Sequence, residues 1–130
     1  MTPTFNGIGL AVADMTTSLA FYRRLGLDFP PGSEQEPHAE AELPGGIRLM
    51  FDTHELIQSF EPGHDPAKET GGPSLAFLCA GPAEVDRLHE ELRDHSVTEP
   101  WDAVWGQRYA VIKDPDGYQI DLFAWLKDPG

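Results

Sequence analysis

The sequence predicts an α+β fold in which one strand–helix–three-strand unit is used twice. Three observations carry this. A strand signal runs into a helix signal near the start, residues 7–14 into 17–25, and the same succession returns at 74–80 into 83–94. Both strand signals alternate in period two, with Ile8, Leu10 and Val12, then Leu75, Phe77 and Cys79, as the bulky set. Such alternation marks a strand with two unlike faces. After each helix come short alternating runs separated by Gly- and Pro-containing turns, which is a hairpin signature. Between the bulky positions lie Gly7, Gly9 and Ala11, then Ser74, Ala76 and Leu78. The bulky face packs beneath the following helix, and the mostly small face leaves room for a ligand.

In chain order, the first strand covers residues 5–13, and Asp14, Thr16 and Thr17 are the N-cap candidates of the first helix. Its apolar set Leu19, Tyr22 and (through Phe21) Leu25 recurs at three- and four-residue spacing, with Gly26 as the C-cap. A short strand is expected at 27–29, ending at Pro30, Pro31 and Gly32. Residues 38–43 alternate charged with apolar, turn at Pro44, Gly45 and Gly46, and return over 47–52 as a hairpin. The Pro- and Gly-rich stretch 53–73 links the halves and holds a short ordered piece around 55–60. Module one thus covers about residues 1–60, the linker about 61–72 and module two about 73–126 of a single domain. Pro82 suits the first turn of the second helix, along which Val85, Leu88 and Leu92 form the apolar stripe. Strands follow at 97–101, 108–113 and 119–125. Asp114, Pro115, Asp116 and Gly117 turn between the last two, proline presetting φ and glycine taking the left-handed position.

Length and composition set bounds. A chain of 130 residues, 40% hydrophobic, with three Trp, seven Phe and three Tyr, is an ordinary globular domain. No apolar run approaches the ~18 residues of a membrane span. The N-terminal residues carry no basic segment followed by an apolar one, so no secretory signal is read there. A single cysteine, Cys79, excludes an internal disulfide framework and fits a cytoplasmic protein. On the bulky face of its strand, Cys79 reads as a small buried hydrophobe. Nine basic against twenty-two acidic residues give a formal charge of −13, which argues against nucleic-acid binding. The acidity serves either solubility or the steering of a cationic ligand.

The chain resembles the vicinal oxygen chelate superfamily, which includes glyoxalase I, extradiol dioxygenases, fosfomycin-resistance enzymes and bleomycin-resistance proteins. The carriers are residues 9–14 (GLAVAD), 18–26 (SLAFYRRLG), 45–50 (GGIRLM) and above all 105–123 (WGQRYAVIKDPDGYQIDLF). The resemblance implies paired βαβββ modules, curved mixed sheets around a cavity, and a homodimer. It also implies a divalent-metal position on the first and last strands of each module. Laid onto this sequence, those positions read Gly7, Arg48, Ser74 and Asp121. Glycine brings no ligand atom, arginine is a permanent cation with no acceptor, and serine is a poor ligand. One carboxylate is too few where catalytic sites use three protein ligands. The expectation is therefore no metal and no cofactor. Arg48 and Asp121 are left either as a structural salt bridge or as polar recognition of a bound molecule.

The five histidines, His38, His54, His64, His89 and His95, show no metal-ligand spacing and are expected at the surface. Glu40 and Glu42 share a strand face and read as exposed edge carboxylates or as a base. No phosphate loop or dinucleotide signature occurs; Gly7-x-Gly9 lies within a strand. Strand parity places Arg48 and Met50, Ser74, and Asp121 with Phe123 on the ligand-facing side. Trp101, Trp105 and Tyr109 near the last hairpin offer flat surfaces for stacking, or else serve as core and interface packing.

The expected function is a metal-free, non-catalytic binder of an aromatic or cationic natural product, of the antibiotic-resistance type. Its ligand contacts are Arg48, Met50, Ser74, Trp101, Trp105, Tyr109, Asp121 and Phe123, and it is a cytoplasmic homodimer without nucleic-acid or membrane partners. The alternatives are a lyase, isomerase or dioxygenase of the same fold with Asp121 as acid or base, and an enzyme with a non-standard metal site.

Overall fold

Period-two alternation in the first strand becomes β1 (Gly7–Val12), followed by α1 (Met15–Arg24), β2 (His38–Glu42), β3 (Arg48–Thr53) and α2 (His54–Phe60). The second set is β4 (Leu75–Leu78), α3 (Pro82–Glu91), β5 (Ser96–Ala103), β6 (Gln107–Lys113) and β7 (Gln119–Trp125). This is a computed structural model that describes residues 2–68 and 72–126. The chain divides into two units, residues 1–69 and 70–130. The α+β class, with two mixed sheets and three α-helices among the described residues, is as the sequence predicts.

In the first unit the strand order is β1-β3-β2, with β1 parallel and β2 antiparallel to β3. Asp14, of the three cap candidates, closes the start of α1, its side chain accepting from Thr16 N–H at 3.2 Å. Arg23 and Arg24 occupy the last turn, where cations favour the helix dipole. Gly26 follows at φ 93°, a conformation that suits glycine. The bulky alternate residues Leu10, Val12, Leu49 and Phe51 are buried together with Leu19 and Tyr22 of α1. The Tyr22 and Phe51 rings lie 5.0 Å apart. Burying a side chain such as Phe51 stabilises by about 1.5–3 kcal/mol. The ordered piece expected near residues 55–60 is α2, capped by the Thr53 hydroxyl accepting from Leu56 N–H.

The strand expected at residues 27–29 does not form; this stretch pairs with nothing in the sheet. Pro30 and Pro31 lack the N–H that a ladder requires. Phe29 also turns its ring edge-on to Phe51, at 5.5 Å, anchoring the stretch to the apolar face. The first unit therefore has two strands after its first helix where the second has three.

The second unit has strand order β4-β7-β6-β5, with β4 parallel to β7 and the rest antiparallel. Pro82 opens α3 as expected, and Val85 and Leu92 are buried with Ile112, Ile120 and Leu122 of the sheet. His89 corrects the surface expectation: it is 1% exposed, with Nε2 2.7 Å from the Ser96 hydroxyl. Its position four residues after Val85 is the reason, since i and i+4 share a helix face. The 114–117 turn is fixed by an Asp114 carboxylate oxygen that accepts from Asp116 N–H (2.8 Å) and Tyr118 N–H (2.9 Å). Gly117 takes φ 91° there. Cys79 is buried, and burial pushes its thiol up to about 11. No described helix is long and apolar enough to cross a membrane.

Candidate functional site

The register of the second sheet assembles one unusual face. Tyr109 lies opposite Phe123 and Trp101 opposite Tyr109, while Ala76 lies opposite Asp121 and Leu78 opposite Phe123. Because every second residue of a strand shares a face, the ladder sets Trp101, Tyr109, Asp121, Phe123 and Trp125 side by side. Trp105, in the turn between β5 and β6, folds over the same group. Its ring centroid is 5.4 Å from Tyr109 and 6.0 Å from Trp101, both contacts edge-to-face. Tyr109 and Phe123 stack at 6.3 Å, and Trp125 meets Phe123 edge-on at 6.3 Å. All three tryptophans of the chain belong to this one surface. Trp105 is 55% exposed and Trp125 45%, so the platform is open to solvent.

Beneath the aromatic rim sits one carboxylate. Asp121 is 7% exposed. Its Oδ2 accepts from the Tyr109 hydroxyl at 2.6 Å, and its Oδ1 accepts from Gln119 Nε2 at 2.9 Å. Burial first, and then the bond to Asp121 and its charge, push the Tyr109 phenol up to about 12. The phenol is therefore a fixed donor at neutral pH. Each carboxylate oxygen has lone-pair capacity left for a ligand donor. Gln107 steadies the rim by accepting from the Trp105 indole N–H at 2.8 Å. Ser74, just before β4, is exposed. The second unit thus brings together Trp101, Trp105, Tyr109, Asp121 and Phe123. Gln107 and Gln119 were missed in the sequence, although their strand parity with Tyr109 and Asp121 was a usable signal.

Arg48 and Met50 lie on a face of the first unit. Register places Gly7 opposite Arg48, Gly9 opposite Met50, Glu40 opposite Met50 and His38 opposite Asp52. Met50 folds over Gly7, whose added Cβ would come 2.7 Å from Met50 Cε, whereas the space over Gly9 is open. Arg48 donates from Nη1 to both Glu40 oxygens (3.0 and 2.9 Å), and from Nε and Nη2 to Asn6 Oδ1 (3.2 and 2.9 Å). Glu40 also meets His38 Nε2 at 3.0 Å, and His38 Nδ1 meets Asp52. A chain Asn6–Arg48–Glu40–His38–Asp52 therefore crosses this face. The hydrogen bonds to Glu40 and then to Asp52 raise the His38 imidazole above 6.5. Those from His38 and then Arg48 hold Glu40 below 4.5. The guanidinium of Arg48 and the carboxylate of Asp121 thus each take their hydrogen-bond partners from within their own unit.

The donor set at the four family metal positions does not fit a divalent ion. Gly7 has no side chain, Arg48 is a cation already paired with Glu40, Ser74 offers a hydroxyl, and only Asp121 is anionic. His38 does not assemble a substitute, because its two carboxylate neighbours bind opposite ring nitrogens and do not converge. Among the described residues, no three or more His, Cys, Asp or Glu side chains gather as a metal-holding group.

Comparison with known proteins gives a consistent result. The family model of the glyoxalase/bleomycin resistance protein/dioxygenase superfamily matches residues 4–122. Among solved structures, the chain is similar to a glyoxalase/bleomycin resistance protein/dioxygenase from Nocardioides, at 28% identity and TM-score 0.70, over 100% of this chain and 89% of that one. It is also similar to a glyoxalase-related enzyme from Fulvimarina pelagi, at 19% identity and TM-score 0.78, over 95% and 88% of the two chains. A third is a lactoylglutathione lyase from Agrobacterium tumefaciens, at 19% identity and TM-score 0.63, over 95% and 94%. The last two show a shared fold alone. No curated protein matches the chain.

Proposed function

The chain belongs to the glyoxalase/bleomycin resistance protein/dioxygenase superfamily, and from that premise we propose that it is a non-catalytic small-molecule binder. Its ligand is a planar aromatic compound carrying a positive charge, held on the aromatic face of the second sheet. One observation carries this reading: Tyr109, packed against Trp101, Trp105 and Phe123, donates to a carboxylate, Asp121, that Gln119 also holds in place. A ring stacked on this rim gains roughly 0.5–2 kcal/mol per aromatic contact beyond its buried area. A cationic nitrogen near Asp121 gains a charge-assisted hydrogen bond. The formal charge of −13 raises the local concentration of such a ligand.

No proton transfer or metal is needed for this role. Protection by sequestration is mass action, so affinity and abundance set its effect. The competing reading is an enzyme that uses Asp121 as its general base. The test is a thermal-shift panel of cationic and neutral aromatic natural products, followed by chromatography of each hit after prolonged incubation. The proposal expects stabilisation by cationic aromatics and recovery of the compound unchanged. A chemically altered product would overturn it in favour of the enzyme.

A further inference from the structure

We propose that Gln119 makes the aromatic face of the second sheet specific for planar cations that carry two N–H donors side by side, the amidinium and guanidinium class. The inference rests on the proposed function and narrows its ligand. A flat ring with a positive charge satisfies the aromatic groups and Asp121, but it leaves Gln119 without a role in recognition.

The face has two ends. Alternate residues of a strand share one side of the sheet, so Gln119, Asp121, Phe123 and Trp125 follow one another along β7. The rings gather at the Phe123 end, where Tyr109 stacks and Trp125 meets Phe123 edge-on. The other end is polar. Gln119 is exposed there, and its Nε2 donates to the Asp121 carboxylate at 2.9 Å. Two residues of strand cover about 7 Å. A ring seated on Phe123 with one exocyclic carbon therefore brings its N–H groups to Asp121, with Gln119 next in line.

A census of donors and acceptors at the polar end sets what a ligand must offer. The Tyr109 hydroxyl commits its only proton to Asp121. Burial first, and then Asp121, push that phenol up to about 12, so the proton stays in place at neutral pH. A carboxylate is acceptor-only, which also orients the Gln119 amide: its nitrogen faces Asp121 and its Oε1 is turned from it. Among the described residues no protein donor reaches Gln119 Oε1. Each Asp121 oxygen accepts one bond and keeps a further lone pair. The polar end thus presents Asp121 and Gln119 Oε1 as neighbouring acceptors. An amidinium donates to both at once, one N–H to each. An N-alkylated ring keeps the attraction of its charge to Asp121 but has no N–H for Oε1, which stays with water.

The test is isothermal titration calorimetry of the full chain with three compounds of similar ring area. They are 2-naphthamidine, a cation with paired N–H donors; N-methylquinolinium, a cation with none; and 2-naphthamide, which is neutral. The amidine should bind about tenfold more tightly than N-methylquinolinium, the low end of what one hydrogen bond from a charged donor contributes. Gln119→Met should remove that advantage and leave the affinity for N-methylquinolinium nearly unchanged. This split separates recognition by Gln119 from support of Asp121, because loss of support would weaken both cations alike. Parallel weakening of both by Gln119→Met would overturn the proposal. So would equal binding of the two cations by the parent chain, a result that needs no variant and leaves a cationic aromatic ligand standing. Should neither cation bind, or should 2-naphthamide bind as tightly as the amidine, the reading of a cationic ligand falls together with this inference.

Discussion

Replacing Tyr109 by Phe removes a single hydroxyl while keeping the ring that packs against Trp101, Trp105 and Phe123. That hydroxyl makes the shorter of the two bonds that hold Asp121, 2.6 Å against 2.9 Å from Gln119. A hydrogen bond to a charged group contributes about 1.5–3 kcal/mol. Tyr109 is half-buried, so water partly replaces the lost donor and the low end applies, about 1.5 kcal/mol. For a chain of this size that is a fall in Tm of roughly 5 °C. The clean readout is a double-mutant cycle of Tyr109→Phe with Asp121→Ala, followed by urea unfolding monitored by circular dichroism. The reasoning requires a coupling energy of about 1–2 kcal/mol between the two changes. Additive effects, with a coupling below about 0.5 kcal/mol, would show that the bond makes no net contribution to the folded state and would refute the argument.

Other outcomes follow from the same structure. The His38 imidazole should titrate above 6.5 by NMR, and Glu40→Gln should move that midpoint down. The sign is set by both partners. The raised His38 value gives stability that is full below 6.5 and is lost as pH rises through the folded midpoint. The lowered Glu40 value gives stability present above 4.5 that is lost as the carboxylate protonates. The pair therefore stabilises most between those limits, by less than about 1 kcal/mol at this half-exposed site, and equal destabilisation by His38→Asn at pH 6 and pH 9 would contradict it. Cys79, buried with its thiol raised to about 11, should resist alkylation at pH 8 until the protein is unfolded. Rapid labelling of the native protein would contradict that. Gly72→Ala drives a Cβ into the buried Tyr118 ring and should cost about 1–3 kcal/mol, read as a lowered urea midpoint.

What the sequence made legible was what depends on local periodicity. Strands β1, β3, β6 and β7, helices α1 and α3, and the Asp114 turn follow from alternation, helical spacing and turn chemistry. The 27–29 strand was misread because Leu27 and Phe29 alternate acceptably, while the competing pull of Phe51 on Phe29 is a tertiary contact. His89 was misread because it was counted with the charged neighbours of its helix and not with Val85, whose face it shares. The aromatic residues were legible in part, since Phe123 lay at ligand-facing parity and Trp101, Trp105 and Tyr109 were grouped near the last hairpin. Register was not legible, and register is what seats Asp121 between Tyr109 and Gln119 and links Arg48 through Glu40 to His38. Single-sequence patterns do not carry cross-strand pairing.

The most direct test of the central claim uses the three tryptophans as its own probe, since all of them lie on the proposed binding face. Titrating the protein with planar cationic aromatics should quench most of the tryptophan emission saturably at 1:1. Asp121→Asn should weaken the binding of cationic ligands about tenfold, the loss of about 1.4 kcal/mol of charge-assisted bonding, while neutral analogues of equal ring area change little. Binding that leaves the tryptophan emission unchanged, or that is indifferent to Asp121→Asn, would contradict the account.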